Sequence, residues 1–172
     1  MLPVVHHLSD LPIRWIIAPH EIHEKHIDQW IEYHPDRMDK YSQIDYLEPK
    51  KDILWIDNVG MLNRLYHYAD LAYIGGGFGS GIHNTQEPTA YGVPVAFGPK
   101  YHKFKEAVDL VGMECAFSFT RQTAFLEFIK RFYEDRALLA ETSARTAAYI
   151  REQAGATALI TAALEARGGE DP

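Results

Sequence analysis

The chain has 172 residues, with 17 Lys and Arg against 24 Asp and Glu, a formal net charge of −7, and one cysteine. At 47% apolar and 24% charged residues, it fits one globular domain rather than a disordered tail or a disulfide scaffold. The acidic balance argues against broad attachment to nucleic acid or anionic lipid, and no apolar run approaches the roughly 18 residues of a membrane-spanning helix.

Met1–His7 fits neither a helix start nor an alternating strand, so the chain enters its fold abruptly. Ile13–Ala18 is β-rich and ends at Pro19, which predicts a strand. Ile22, Ile27, Trp30 and Ile31 form a helical stripe over Glu21–Tyr33, stopped by Pro35. Ile44–Leu47 and Ile53–Ile56 are the next strand candidates, and Met61, Leu62, Leu65, Tyr66 and Ala69 recur at helical spacing. Leu71–Ile74 predicts a strand, Asn84–Tyr91 a short helix and Val93–Phe97 a strand with its proline near the start. Helix Phe104–Val111, strand Ala116–Phe119 and helices Arg121–Tyr133 and Ala137–Ala166 follow, and Arg167–Pro172 reads as a frayed tail.

Strands alternating with helices imply right-handed βαβ units, a parallel sheet and helices on both faces. Ligands of such sheets bind where the carboxyl ends of strands meet helix N-termini. The loops after Ile17, Ile56, Ile74 and Phe97 are therefore the candidate site.

Tyr73–Pro88 is the most informative of these, with five glycines in the seven positions from Gly75 to Gly81. Missing Cβ atoms permit sharp turns and close approach of a ligand, and the helix start beyond suits an anion. The glycine spacing is not that of a dinucleotide fingerprint or a P-loop. Asn84 and Glu87 stand three apart, so they either cap the helix or place a carboxylate where it can accept both hydroxyls of a ribose.

In the loop after Ile56, Asp57 or Asn58 can cap the next helix, and Gly60 would let a phosphate reach its first-turn amides. Lys100, Lys103 and Lys105 bring local positive charge to the loop after Phe97, either for an anionic substrate or as a solvated run. His20, His23 and His26 are spaced by three on a helical pattern. Each step turns by about 300°, so they drift around the axis and do not share one tetrahedral metal site. Cys115 has no activating cation in its sequence neighbourhood.

Gly75-Gly76-Gly77-Phe78-Gly79-x-Gly81-Ile82-His83-Asn84-x-x-Glu87-Pro88-x-Ala90-Tyr91-Gly92-x-Pro94-Val95 resembles the C-terminal half of 3-deoxy-D-manno-octulosonic acid (Kdo) transferases. Phe97-Gly98-Pro99-x-Tyr101-x-Lys103-Phe104-x-Glu106-Ala107 continues the resemblance, and Gly60-x-Leu62-x-x-Leu65-Tyr66-x-x-Ala69-Asp70 extends it upstream. The resemblance implies the Rossmann-like C-terminal domain of a GT-B glycosyltransferase that needs no metal or other cofactor. Such enzymes transfer Kdo from CMP-Kdo to a lipid A precursor in lipopolysaccharide synthesis, at the cytoplasmic face of the inner membrane of Gram-negative bacteria.

It further implies that Glu87 takes the ribose hydroxyls with Asn84 beside it, and that Gly60, Met61 and Leu62 face the phosphate. Pro19 and His20 would flank the cytosine and phosphate, His20 standing where many members have arginine. Gly77 and Lys103 complete the nucleotide-sugar set. The catalytic glutamate, acceptor site and membrane association of the family belong to an N-terminal domain, so the resemblance implies a soluble, inactive donor-binding fragment without a catalytic residue of its own. The alternatives are a donor domain that takes a UDP-sugar, in a glycosyltransferase or an epimerase, and a non-catalytic nucleotide-binding module.

Overall fold

The computed structural model describes residues 2–20, 29–32, 36–45, 51–153, 155 and 161. The chain divides into two compact units, Met1–Leu65 and Tyr66–Pro172.

The N-terminal unit opens with helix α1, Leu2–His7, where no helix was expected. Val4, Val5 and Leu8 are buried to 5% exposure or less. Burial therefore decides this segment against the low helix propensity of its two valines, and Pro3 sits in the first turn, where its missing N–H costs nothing. Strands β1 (Trp15–Ile17), β2 (Met38–Lys40) and β3 (Ile53–Trp55) form a parallel sheet in the order β1–β3–β2. Trp15, Ile53 and Met38 stand in register, so they share a face, and Val5, Trp30 and Ile31 pack with them.

β2 corrects the expectation of a strand at Ile44–Leu47. Ile44 and Asp45 lie outside any strand, and Tyr46 and Leu47 fall outside the described residues. Of Met38, Asp39 and Lys40 only Met38 is buried, so this flanking strand needs one apolar side chain and shows no alternation. The helix expected over Glu21–Tyr33 is represented by residues 29–32, which are helical; His23, His26 and Pro35 lie outside the described residues. Helix α2, Leu62–Leu65, ends the unit.

The C-terminal unit begins with a single 3₁₀ turn, Tyr66–Tyr68, and carries β4 (Ala72–Ile74), β5 (Val95–Phe97) and β6 (Ala116–Ser118), parallel in the order β4–β5–β6. All three residues of β5 are fully buried, as a central strand covered on both faces requires. On one face Ala72, Ile74, Val95, Phe97 and Ala116 pack with Ala107 and Leu110 of helix α4 (Lys105–Gly112) and Tyr149 of helix α6 (Arg136–Gln153). On the other, Tyr73 and Phe117 meet Phe125 and Phe128 of helix α5 (Gln122–Glu134), with ring centroids 5.1 and 4.5 Å apart. The expected parallel strands with helices on both faces are thus present.

Helix α3, Gln86–Ala90, packs against α6 through small and hydroxylated residues. Thr89, Thr142 and Thr146 are fully buried, and each hydroxyl donates to the carbonyl four residues earlier. A side chain at Gly92 would stand 3.1 Å from Ala147 Cβ. The two helices therefore approach closely without leaving these hydroxyls unpaired. The stretch expected to be helical to Ala166 is described as helix to Gln153, and the tail Arg167–Pro172 lies outside the described residues.

Candidate functional site

In the N-terminal unit the loops after β1 and β3 leave the same end of the sheet, because these strands are adjacent and parallel. The first carries Pro19, half-buried, and His20, exposed. The second carries Gly60, Met61 and Leu62, leading into α2. Gly60 has φ of +93° with nothing within 4 Å of an added Cβ, so the residue serves the turn and not close packing. Val59 is 91% exposed beside it.

Neither Asp57 nor Asn58 caps α2, contrary to the sequence reading. The Asp57 carboxylate accepts from the Ser42 backbone N–H at 3.0 Å and from the Ser42 hydroxyl. Asn58 Nδ2 donates to Met61 Sδ at 2.9 Å. Asp57 is thus spent on joining the loop after β3 to the turn after β2.

In the C-terminal unit the glycine loop after β4 and the lysine-bearing loop after β5 likewise leave one sheet end. They are in backbone contact. A Cβ on Gly77 would lie 2.6 Å from the Gly98 nitrogen, and one on Gly98 would lie 2.7 Å from the Gly77 carbonyl carbon. Lys100 N–H donates to the Gly77 carbonyl at 3.0 Å, and the Phe104 ring fills the space beside Gly81. Gly76, with φ of +90°, turns where a Cβ would meet the Gly81 carbonyl oxygen and, at 3.2 Å, the His83 ring. The loop is closed further by His83 N–H donating to the Gly75 carbonyl at 3.1 Å.

Gly76, Gly77 and Gly81 are therefore required by the protein's own packing. The sequence reading gave them to sharp turns, as Gly76 shows, and to close approach of a ligand, and it missed Gly98 as the partner of Gly77. The signal was present in the sequence as a glycine immediately after a buried strand.

At the start of α3, Asn84 Oδ1 accepts the Gln86 N–H at 2.9 Å, and Asn84 Nδ2 donates to Glu87 Oε1 at 3.0 Å. The buried Thr85, one residue later than expected, occupies the N-cap position and makes no side-chain cap bond. Asn84 thus satisfies a first-turn N–H and orients the Glu87 carboxylate. Pro88 sits in this first turn, where a backbone donor has no helical partner.

Tyr66, which the sequence reading placed in a helical stripe, is a neighbour of Glu87. Burial, and next the charge of Glu87, push its hydroxyl up to about 12. No spacing rule marks that pairing. Tyr73 is also raised, by burial. Lys103 and Lys100 are exposed on the loop after β5, and among the described residues no hydrogen bond or ion pair joins Lys103 to Asn84 or Glu87. Lys105 is bound to Asp109, whose hydrogen bond and charge raise its pKa. Among the described residues no three His, Cys, Asp or Glu side chains come together as a metal site, and no helix is long and apolar enough to cross a membrane.

No family model matches the chain. Among curated proteins, the 3-deoxy-D-manno-octulosonic acid transferase of Chlamydophila psittaci is 27% identical over 152 residues, covering 76% of this chain and 34% of that protein. The transferase of Aquifex aeolicus is 38% identical over 66 residues, covering 38% of this chain and 19% of that one. That of Chlamydia muridarum is 35% identical over 86 residues, covering 49% and 20%. The crystal structure of the C-terminal CMP-Kdo binding domain of WaaA from Acinetobacter baumannii matches with a TM-score of 0.73 at 16% identity, covering 84% of this chain and 78% of that one. The chain is similar to the C-terminal domain of a Kdo transferase.

Its fold is that of the C-terminal GT-B domain of WaaA. The chain spans about a fifth to a third of the length of the curated Kdo transferases it matches.

Proposed function

We propose that this chain is the donor-binding domain of a Kdo transferase and holds CMP-Kdo. The observation that carries the reading is the 152-residue similarity to the Chlamydophila psittaci Kdo transferase. In the C-terminal unit Glu87, oriented by Asn84, accepts the ribose hydroxyls, and Lys103 offers positive charge to the donor's anionic groups. In the N-terminal unit, taken by itself, Pro19 and His20 suit a cytosine and a phosphate, and the amides of Gly60, Met61 and Leu62 suit a phosphate oxygen.

Departure of CMP leaves charge on a phosphate, and preorganised amides and lysines offset such charge without a metal. The full-length enzyme would transfer Kdo to a lipid A precursor in lipopolysaccharide synthesis at the inner membrane. Its base and its acceptor site would lie in another domain, so this chain alone would be inactive.

Calorimetric titration with CMP, UMP and CMP-Kdo tests the reading. CMP and CMP-Kdo are expected to bind more tightly than UMP, with Glu87→Ala weakening both by about tenfold or more, the worth of hydrogen bonds to a charged group. Preference for UMP would replace it with a UDP-sugar enzyme. No nucleotide binding at millimolar concentration would replace it with a module that does not handle nucleotides.

A further inference from the structure

The glycine loop of the C-terminal unit carries one side chain that its packing does not explain. Of the eight phenylalanines, Phe78 alone is exposed, at 59%. Its backbone is nonetheless held. Gly79 N–H donates to the Gly76 carbonyl at 2.7 Å, which closes a tight turn with Gly77 and Phe78 at its corners. Gly77 is buried against Gly98. An added Cβ on Gly98 would stand 2.8 Å from Phe78 Cδ2, so one edge of the ring rests on that glycine. The rest of the ring is presented to solvent from a fixed turn.

Backbone hydrogen bonds join this turn both to the segment that carries Asn84 and Glu87 and to Lys100. His83, which precedes Asn84, donates its N–H to the Gly75 carbonyl, and Lys100 donates its N–H to the Gly77 carbonyl. Lys100 is exposed, and its ammonium enters no hydrogen bond or ion pair among the described residues. An apolar ring and an uncommitted cation thus stand beside each other at the sheet end that holds Glu87.

We propose that Phe78 and Lys100 form the subsite for the donor's sugar and select one that carries a carboxylate, an inference that rests on the chain being a donor-binding domain. With Glu87 engaged by the ribose, the group beyond the phosphate of a nucleotide sugar is the sugar ring. A pyranose presents polarised C–H groups, and these are attracted to the negative face of an aromatic ring. A ring already held by its turn loses little freedom on contact. A carboxylate on the same sugar meets the Lys100 ammonium, a point charge on a flexible stem. A cytosine would use the ring alone and, being uncharged, give the cation nothing.

Calorimetric titration of the full chain with CMP and with CMP-Kdo separates this subsite from the nucleotide site. Phe78→Ala is expected to weaken CMP-Kdo by about fivefold and CMP by less than about twofold, the scale of one aromatic contact. Phe78→Tyr, which keeps the ring, is expected to bind CMP-Kdo as the wild type does. Lys100→Met is expected to weaken CMP-Kdo by about threefold, and roughly 0.5 M salt should erase that difference while sparing the Phe78 effect. Should Phe78→Ala lower the melting temperature, Phe78→Met, which keeps an apolar contact with Gly98, must still weaken CMP-Kdo more than CMP. Glu87→Ala weakens both ligands, so failure of the nucleotide reading is seen separately. Equal losses of CMP and CMP-Kdo in Phe78→Ala, wild-type affinity for CMP-Kdo in that variant, or a Lys100→Met variant that loses CMP as much as CMP-Kdo would overturn the subsite alone. A wild-type chain that binds neither ligand would overturn it together with the nucleotide reading.

Discussion

Two of the loops that follow strands turn on glycine, for different physical reasons. At Gly60 the backbone reaches φ of +93° in open surroundings, and a methyl group there would touch nothing within 4 Å. At Gly77 the backbone lies against that of Gly98, 2.6 Å from an added Cβ. In one loop glycine is a conformational choice; in the other it is a volume that neither neighbour can enlarge. Glycine count alone is thus no measure of how open a loop is to ligand.

Gly77→Ala is the severest way to probe this difference. The obstruction is backbone on both sides, so relief needs two loops to separate, at a cost of about 1–3 kcal/mol. Thermal unfolding is expected to move down by roughly 2–4 °C per kcal/mol for a chain of this size. Gly60→Ala should cost only about 1 kcal/mol, from the left-handed backbone alone. Equal losses in the two variants would erase the distinction between crowding and conformation.

Glu114 is the converse of Gly60, a residue with a side chain at φ of +55°. Glu114→Gly relieves that strain and gives up only a 4.0 Å approach to Arg145 by a carboxylate that is 78% exposed. A gain of about 0.5–1 kcal/mol is expected in denaturant unfolding. A loss of stability would show that the Arg145 contact outweighs the strain.

An effect confined to alkaline pH concerns Tyr66, beside Glu87. Its hydroxyl ionises near 10.0 when free and at about 12 in the fold. The unfolded chain therefore releases this proton first. The contribution is intact below pH 10.0 and is lost as the pH rises towards 12. Tyr66→Phe should flatten that part of the stability curve. Glu87→Gln should bring the tyrosine's absorbance titration to lower pH, and an unmoved titration would leave burial as the sole cause.

Several strand positions were legible because Ile53–Trp55, Ala72–Ile74 and Val95–Phe97 are short apolar runs between turn residues, and buried parallel strands have that composition. Leu2–His7 was not, because two valines and a proline become helical only through tertiary burial of Val4, Val5 and Leu8. Met38–Lys40 was hidden by needing a single inward side chain.

For the candidate site, spacing brought out Asn84 and Glu87, and the structure joins them by a hydrogen bond. Three other relationships cannot be read from spacing, since each pairs residues far apart in the chain, although Gly98 is marked by standing immediately after a buried strand. These are Tyr66 with Glu87, Gly77 with Gly98, and Asp57 with Ser42.

The close seating of α3 on α6 also bears on the order in which the chain is made. α3 carries Glu87 near the middle of the sequence, whereas its partner α6 spans Arg136–Gln153. During synthesis Glu87 leaves the ribosome long before Thr142, Thr146 and Ala147 exist to receive its helix. The carboxylate acquires its final support only once α6 has been made, and ribosome-bound chains arrested before Thr142 should leave that helix without its seat.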